Sequence, residues 1–261
     1  MKKTVVITGG SSGIGLAAVK KFKEEGFNVF ELSRHGKSSC GVTHIDCDVT
    51  DEKSVTQAFL QIEKAGGADI LINNAGFGIS GAAEYTELSS AKAQFDVNFF
   101  GALLCAKAAL PLLRKSRGRI VFISSAAAIF SIPFQAFYSA SKSAVNSLAF
   151  AMRNELKKSG VSVTALMPGD VKTGFTSARQ ISNAGSEEYG GRMEKALRTM
   201  ENDEQNGMSP EYIAKKIFYY SVKRRVGAKY TIGAKYRLFC AVNKVLPFPL
   251  VNMLIGKIYG G

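Results

Sequence analysis

"VVITGGSSGIG", Val5–Gly15, is the stretch on which the fold turns. Strand-forming residues run directly into glycines and serines, a loop that is costly to order unless the missing side chains serve a purpose. Beyond it the apolar spacing predicts a helix from Gly13 to about Glu25. Gly9-x-x-x-Gly13-x-Gly15 therefore sits where a first strand ends and a first helix begins. At such a junction the amides of the helix N-terminus can bind a dinucleotide pyrophosphate, with Ser11, Ser12 and Ile14 in the same loop. A plain glycine turn is the competing reading, and the placement between strand and helix favours the phosphate cradle.

Outward from that loop, strand-length apolar runs alternate with helix-period segments. Strands are predicted at Lys3–Thr8, Asn28–Leu32, Val42–Asp46, Asp69–Asn73, Arg119–Ser124 and Val161–Met167. Helices are predicted from an Asp51 N-cap to about Ala65, from about Leu88 to Lys115, and from about Phe137 to Lys158. The strands are near-continuous Val/Ile/Leu rather than alternating, as expected when both faces are covered. The fold class is α/β, a Rossmann-type doubly wound parallel sheet with helices on both faces.

Composition sets the bounds. A chain of 261 residues with 46% hydrophobic content can bury about three-quarters of its unfolded surface, so it needs no disulfide or metal staple. Cys40, Cys47, Cys105 and Cys240 show no ligand spacing, and only His35 and His44 accompany them, so no metal site is expected and a reducing compartment is. "MKKTVVI" resembles a leader, but its apolar run is too short for one, and no segment reaches about 20 apolar residues. A soluble, cytoplasmic protein is the expectation. The net charge of +13 comes with no nucleic-acid-binding motif, so no nucleic-acid partner is expected.

"YSASK" brings the chemistry. Tyr138 and Lys142 are four residues apart in a helical segment and share a face. A neighbouring ammonium favours the phenolate and lowers the phenol's pKa, so the pair can exchange a proton with an alcohol or carbonyl oxygen. An exposed Tyr–Lys pair without function is the competing reading. With "TGGSSGIG", "NNAG" (Asn73–Gly76), Asn98, Ser124-Ser125 and "PGDVKT" (Pro168–Thr173), the chain resembles the short-chain dehydrogenase/reductase family from Lys3 to about Thr173, and again near "GMSPEYIAKKI".

That resemblance implies one domain over 1–261: a dinucleotide-binding and catalytic core over 1–173, a substrate lid over 174–208, and a C-terminal extension over 209–261. It implies about seven parallel strands in the order 3-2-1-4-5-6-7 and an oxidoreductase binding NAD or NADP. Tyr138 is then the general acid/base, and Lys142 lowers its pKa and holds the nicotinamide ribose. Ser125, thirteen residues before Tyr138, binds the substrate oxygen, with Ser124 as the adjacent competitor. Asn98 holds a water in a proton relay, or fills a helix kink. Asp48 and Val49 contact adenine, while Asn74, Ala75 and Gly76 line the adenosine side. Pro168, Gly169, Val171 and Thr173 hold the carboxamide. A dinucleotide sensor or scaffold without turnover is the alternative, and the presence of all four catalytic residues favours an enzyme. The resemblance also implies a homodimer or homotetramer through the helices near 88–115 and 137–158.

The end of the second strand selects the cofactor. Ser33 followed by Arg34 stands where an acid would select NAD, and a hydroxyl beside a guanidinium suits a 2′-phosphate. NADP is expected, with His35 and Lys37 adding positive field. "AAAIFSIPFQAF" brings Ile129, Phe130, Pro133, Phe134 and Phe137 near the reacting centre, which favours a small apolar carbonyl or alcohol substrate, a steroid-, lipid- or acyl-like ketone or secondary alcohol. Gly174–Gly207, polar and glycine-bearing, is expected to act as a mobile lid. From Gly207 to Gly261 there are ten Lys or Arg and one acid, Glu211. Leu238, Phe239, Val242, Val245 and Leu246 fall on one helical face, and Leu250, Val251, Leu254, Ile255 and Ile258 form a second stripe. These stripes either pack on a partner subunit or roof the pocket, or they rest on an anionic membrane.

Overall fold

Five buried residues in a row make β1 (Thr4–Thr8) a central strand of the molecule, which is a computed structural model describing residues 2–260. Its alternate side chains go to opposite layers. Val6 joins a core with Leu71, Ile120 and Val163, and Val5 and Ile7 join another with Ile72, Val121 and Leu166. A strand that feeds two cores has no wet face, which is why the run reads as continuously apolar.

Around it stand β2 (Asn28–Ser33), β3 (Val42–Asp46), β4 (Ile70–Asn73), β6 (Arg119–Ile123), β7 (Ser162–Pro168) and β9 (Lys229–Ile232). The order is β3-β2-β1-β4-β6-β7-β9, all pairs parallel. The first core is completed by α2 (Glu52–Lys64), α4 (Ala102–Ser116) and α5 (Ala136–Glu155). The second is completed by α1 (Gly13–Glu24) and α8 (Pro210–Val222). Asp51 caps α2 as predicted, its side chain accepting from the Lys53 amide, and Ser209 caps α8.

The helix expected over 88–115 is three pieces. α3 (Leu88–Phe95) passes through a π-helical turn, Asp96–Gly101, into α4. By length and composition the run Leu88–Ser116 would span a bilayer, but Cys105, Ala106, Ala109 and Leu113 place its apolar stripe in the first core.

The segment expected as a lid is largely built structure. α6 (Phe175–Ala178) leads to β8 (Gln180–Ile181), which pairs in parallel with β5 (Ile79–Ser80). α7 (Arg192–Gln205) follows, burying Met193, Ala196, Leu197 and Met200 against Ala82 and Phe134. The chain ends in α9 (Ala234–Val242) and α10 (Phe248–Tyr259), the latter packed on α7.

Candidate active site

A parallel sheet delivers the carboxyl ends of its strands to one edge, and the loops leaving β1, β2, β4, β6 and β7 line a cavity of about 1250 Å³ there. Of the residues expected at a cofactor, all line it except Gly15; of the catalytic four, all except Asn98.

The glycine loop is shaped by two constraints. Gly9 has φ +65° and hands its amide to Leu32 O at 2.7 Å. A Cβ on Gly15 would lie 2.1 Å from Gly9 O, so α1 can approach the loop this closely only without a side chain. Ser12 occupies the N-cap of α1 but makes no side-chain cap bond, which leaves the helix's first amides turned to the cavity. Asn74 pins the floor: its amide donates to Thr8 Oγ1 at 2.9 Å, and its Nδ2 to Thr8 O and Gly9 O. Thr8, which also accepts from the Ala75 amide, is a site residue that sequence reasoning missed. Its signal was a hydroxyl that closes the apolar run Val5–Ile7 at the carboxyl end of the strand.

At the end of β2, Ser33 Oγ is buried without a hydrogen-bond partner, and Arg34 lines the cavity beside it. His35 and Lys37, expected to add positive field, lie outside the lining. Asp48 accepts from the Thr50 amide and hydroxyl; the amide bond chiefly, and Arg34 in smaller part, hold its pKa low. The orphan hydroxyl, the guanidinium and the side-chain-free cradle together fit a dinucleotide carrying an extra phosphate on its ribose.

At the other flank, α5 presents Tyr138 and Lys142 as their spacing predicts. Lys142 is buried and donates to Ile123 O at 3.0 Å, its Nζ 5.9 Å from the Tyr138 ring centroid. The electrostatics differ from expectation. Burial pushes the Tyr138 phenol up to about 12, and a hydrogen bond to Ser125 opposes this only in part. Burial brings the Lys142 ammonium down to about 8. A low-polarity site disfavours the charged form of each group.

The two serines separate as neighbouring strand positions should. Ser124 is buried and donates to Lys142 O at 3.1 Å, while Ser125 caps a short turn by accepting from the Ala127 amide and meets Tyr138 in the cavity. Asn98 lies behind the wall. Its Nδ2 donates to Phe77 O and Ser141 Oγ, each at 3.0 Å, and its Oδ1 accepts from the Phe77 amide. Both amide hydrogens are committed to protein, so the side chain ties the π-helical turn to the Phe77 loop and to α5.

The expected pocket residues are partly redistributed. Phe130 lines the cavity, and so do Ile132 and Gln135, which were not foreseen. Ile129, Pro133, Phe134 and Phe137 do not. Phe134 takes φ +59° and turns into the α7 core, stacking edge-on with Tyr189 at 5.3 Å. Phe175, also missed, lies 5.6 Å from the Tyr138 ring, its edge packed over Gly78.

"PGDVKT" is held from outside the sheet. The Lys172 amide donates to Met208 O and the Met208 amide to Asp170 O, each at 2.9 Å, on either side of Val171. The Tyr236 ring covers Gly169, and its hydroxyl donates to Asp170. Asp170 was given no role from sequence, yet it lines the cavity. Burial first, then Asp203 and Glu204, raise its pKa to about 7. Asp203 accepts from Tyr259 and pairs with Lys235, and Arg179 pairs with Glu204, so α7 is latched to α9 and α10 directly over the cavity. The C-terminal helices and the turn between them complete the wall with Leu238, Phe239, Val242, Leu246, Leu254 and Ile258. Of the two packing roles expected for the stripes, roofing the pocket is the one this chain displays.

A family model for short chain dehydrogenases matches residues 3–183. The chain is 36% identical over 245 residues to a 3-ketodihydrosphingosine reductase of Bacteroides thetaiotaomicron, covering 92% of this chain and 91% of that one. It is 29% identical over 270 residues to an NADPH-dependent 3-dehydrocapnine reductase of Ornithobacterium rhinotracheale, covering 97% and 95%. Among solved structures, a short-chain dehydrogenase from Streptomyces avermitilis superposes with TM-score 0.83 at 24% identity, over 94% of this chain and 93% of that one.

Proposed function

The chain belongs to the short chain dehydrogenase family of oxidoreductases, which use a nicotinamide cofactor, and on that footing we propose that it reduces a ketone on a long apolar substrate at the expense of NADPH. One observation carries the reading: the Tyr138 phenol stands where a glycine-lined cradle meets a wall of aliphatic side chains in a single cavity.

The cradle at Gly9–Gly13 and the N-terminus of α1 hold the pyrophosphate, Ser33 and Arg34 take the 2′-phosphate, and Lys142 reaches the ribose. The nicotinamide, when bound, supplies the hydride that reduces the carbonyl carbon. Ser125 Oγ and the Tyr138 hydroxyl converge on the carbonyl oxygen. A phenol with its pKa raised is protonated at neutral pH, which is the form needed to give a proton to that oxygen as negative charge gathers on it. Lys142, charged below about pH 8, then offsets the phenolate left behind. Asn98 is a positioning residue that keeps the Phe77 loop and Ser141 in place. Residues 174–208 close over the substrate through the α7 latch and exclude water.

The substrate class is supported by the wall of α9 and α10 and by the keto groups in the names of relatives that span nearly the whole chain. NADPH is supported by Ser33 and Arg34 and by the cofactor in one relative's name. A homodimer or homotetramer is supported by Leu88 and Phe100, apolar side chains left exposed on the α3–α4 run.

The test is NADPH oxidation with ketones of graded chain length, with NADH in parallel. The kcat/KM rises with length by up to about fourfold per methylene that becomes buried, each contributing about 0.8 kcal/mol, and NADH serves poorly. A rate independent of chain length would contradict the substrate class.

A further inference from the structure

Among the described residues, seventeen large hydrophobic side chains are exposed, and nine of them fall between residues 238 and 258. Scattered apolar residues are normal on a protein surface, but a concentration like this needs a partner. On α9 and the turn after it, Leu238, Val242 and Val245 share a stripe at helical spacing, and Val245 is 83% exposed. On α10, Leu250, Leu254 and Ile258 do the same, with Phe248 and Met253 beside them. Leu238 and Val242 of the first stripe and Leu254 and Ile258 of the second also stand at the cavity wall, so the exposed apolar surface continues into the substrate end of the site.

Cations frame this patch. Arg237 and Lys244 are seven residues apart and fall on the stripe next to Leu238 and Val242, while Lys257 shares a stripe with Met253. Lys223, Arg224 and Arg225 are exposed in the turn that enters β9, the strand before α9. The span 207–261 carries ten Lys or Arg against Glu211 alone.

We propose that α9 and α10 seat this protein on an anionic lipid surface, with their apolar stripes in the acyl boundary and the basic residues at the headgroups. The twelve residues of α10 reach about 18 Å, short of the roughly 30 Å hydrocarbon core, so the helix lies in the interface rather than crossing it. A second copy of this chain fits less well, because a two-fold contact through this face would set one cationic ring against another. Seated this way, the cavity opens toward the phase in which a long-chain ketone dissolves.

Vesicle flotation with the whole protein tests the proposal without reference to catalysis. The protein floats with phosphatidylcholine vesicles containing phosphatidylserine at low salt, and stays behind with phosphatidylcholine alone. High salt, or the triple variant Arg237→Gln/Lys244→Gln/Lys257→Gln, weakens binding at least about tenfold. Phe248→Asp/Met253→Asp, at side chains outside the cavity lining, abolishes flotation while the far-UV circular dichroism and melting remain those of the wild type. Absence of flotation at low salt, or equal flotation on neutral vesicles, overturns the proposal. So does a wild-type oligomer that Phe248→Asp/Met253→Asp breaks apart without any vesicle binding, since that gives the face to a second copy.

Discussion

At one end of the cavity there is no room for a single methyl group; at the other, Leu238, Phe239, Val242, Leu254 and Ile258 of the wall stand partly in solvent. The glycine end is shaped by backbone meeting backbone: Gly15 against Gly9, and Gly9 against Ala75. The aliphatic end is shaped by side chains of α9 and α10, whose positions depend on α7 and on the polar latch of Asp170, Asp203, Lys235, Tyr236 and Tyr259. Where backbone approach sets the geometry, one residue type is required; where side-chain volume sets it, many combinations suffice.

That contrast predicts unequal costs. Overpacking at Gly15→Ala costs about 1–3 kcal/mol and displaces the cradle, so NADPH affinity falls by up to about a hundredfold, read by fluorescence titration. Leu254→Ala trims a wall residue that is 42% exposed, and raises KM for a long-chain ketone only about threefold. Equal costs at the two ends would break the comparison.

Arg34→Ala sharpens it within the cofactor end. Loss of one charge-assisted phosphate contact, about 1.5–3 kcal/mol, weakens NADPH at least about tenfold and leaves NADH binding unchanged, by the same titration. Equal affinity of the wild type for both cofactors would remove the assignment.

A smaller effect appears with pH. In the proposed mechanism Lys142 acts as a cation, and burial lowers its pKa to about 8, so its charged fraction declines as pH rises. The kcat/KM for ketone reduction therefore halves near pH 8 and continues to fall about tenfold per unit above it, since each unit removes that fraction of the protonated form. A flat profile through pH 9 would separate Lys142 from the rate.

The same contrast explains what the sequence displayed. Gly9, Gly13 and Gly15 announced themselves because side-chain-bearing residues seldom take a positive φ and none fits a 2.1 Å approach. Tyr138 and Lys142 did so because few side chains can move a proton and the helix repeat puts them on one face. The sheet order needed the family resemblance, and β9, a short strand of four residues with half-exposed positions, carried no pattern of its own. α7 was hidden because Met193, Ala196, Leu197 and Met200 are the narrow buried stripe of a helix otherwise made of charged and polar residues. The pocket residues of 126–137 were misplaced by a backbone event, the left-handed turn at Phe134, which sends that ring into the α7 core. Tyr138's electrostatics were misjudged because the pull of Lys142 can be read from spacing, whereas burial depends on the closed cavity.

The central claim is that the Tyr138 hydroxyl gives its proton to the substrate oxygen. Tyr138→Phe keeps the ring and removes only that group, so turnover of NADPH with a long-chain ketone is the direct measurement, taken beside an NADPH titration of the same variant. Cofactor affinity stays unchanged and turnover falls by about 10²–10⁴-fold; near-wild-type turnover with the cofactor bound would contradict that role for Tyr138.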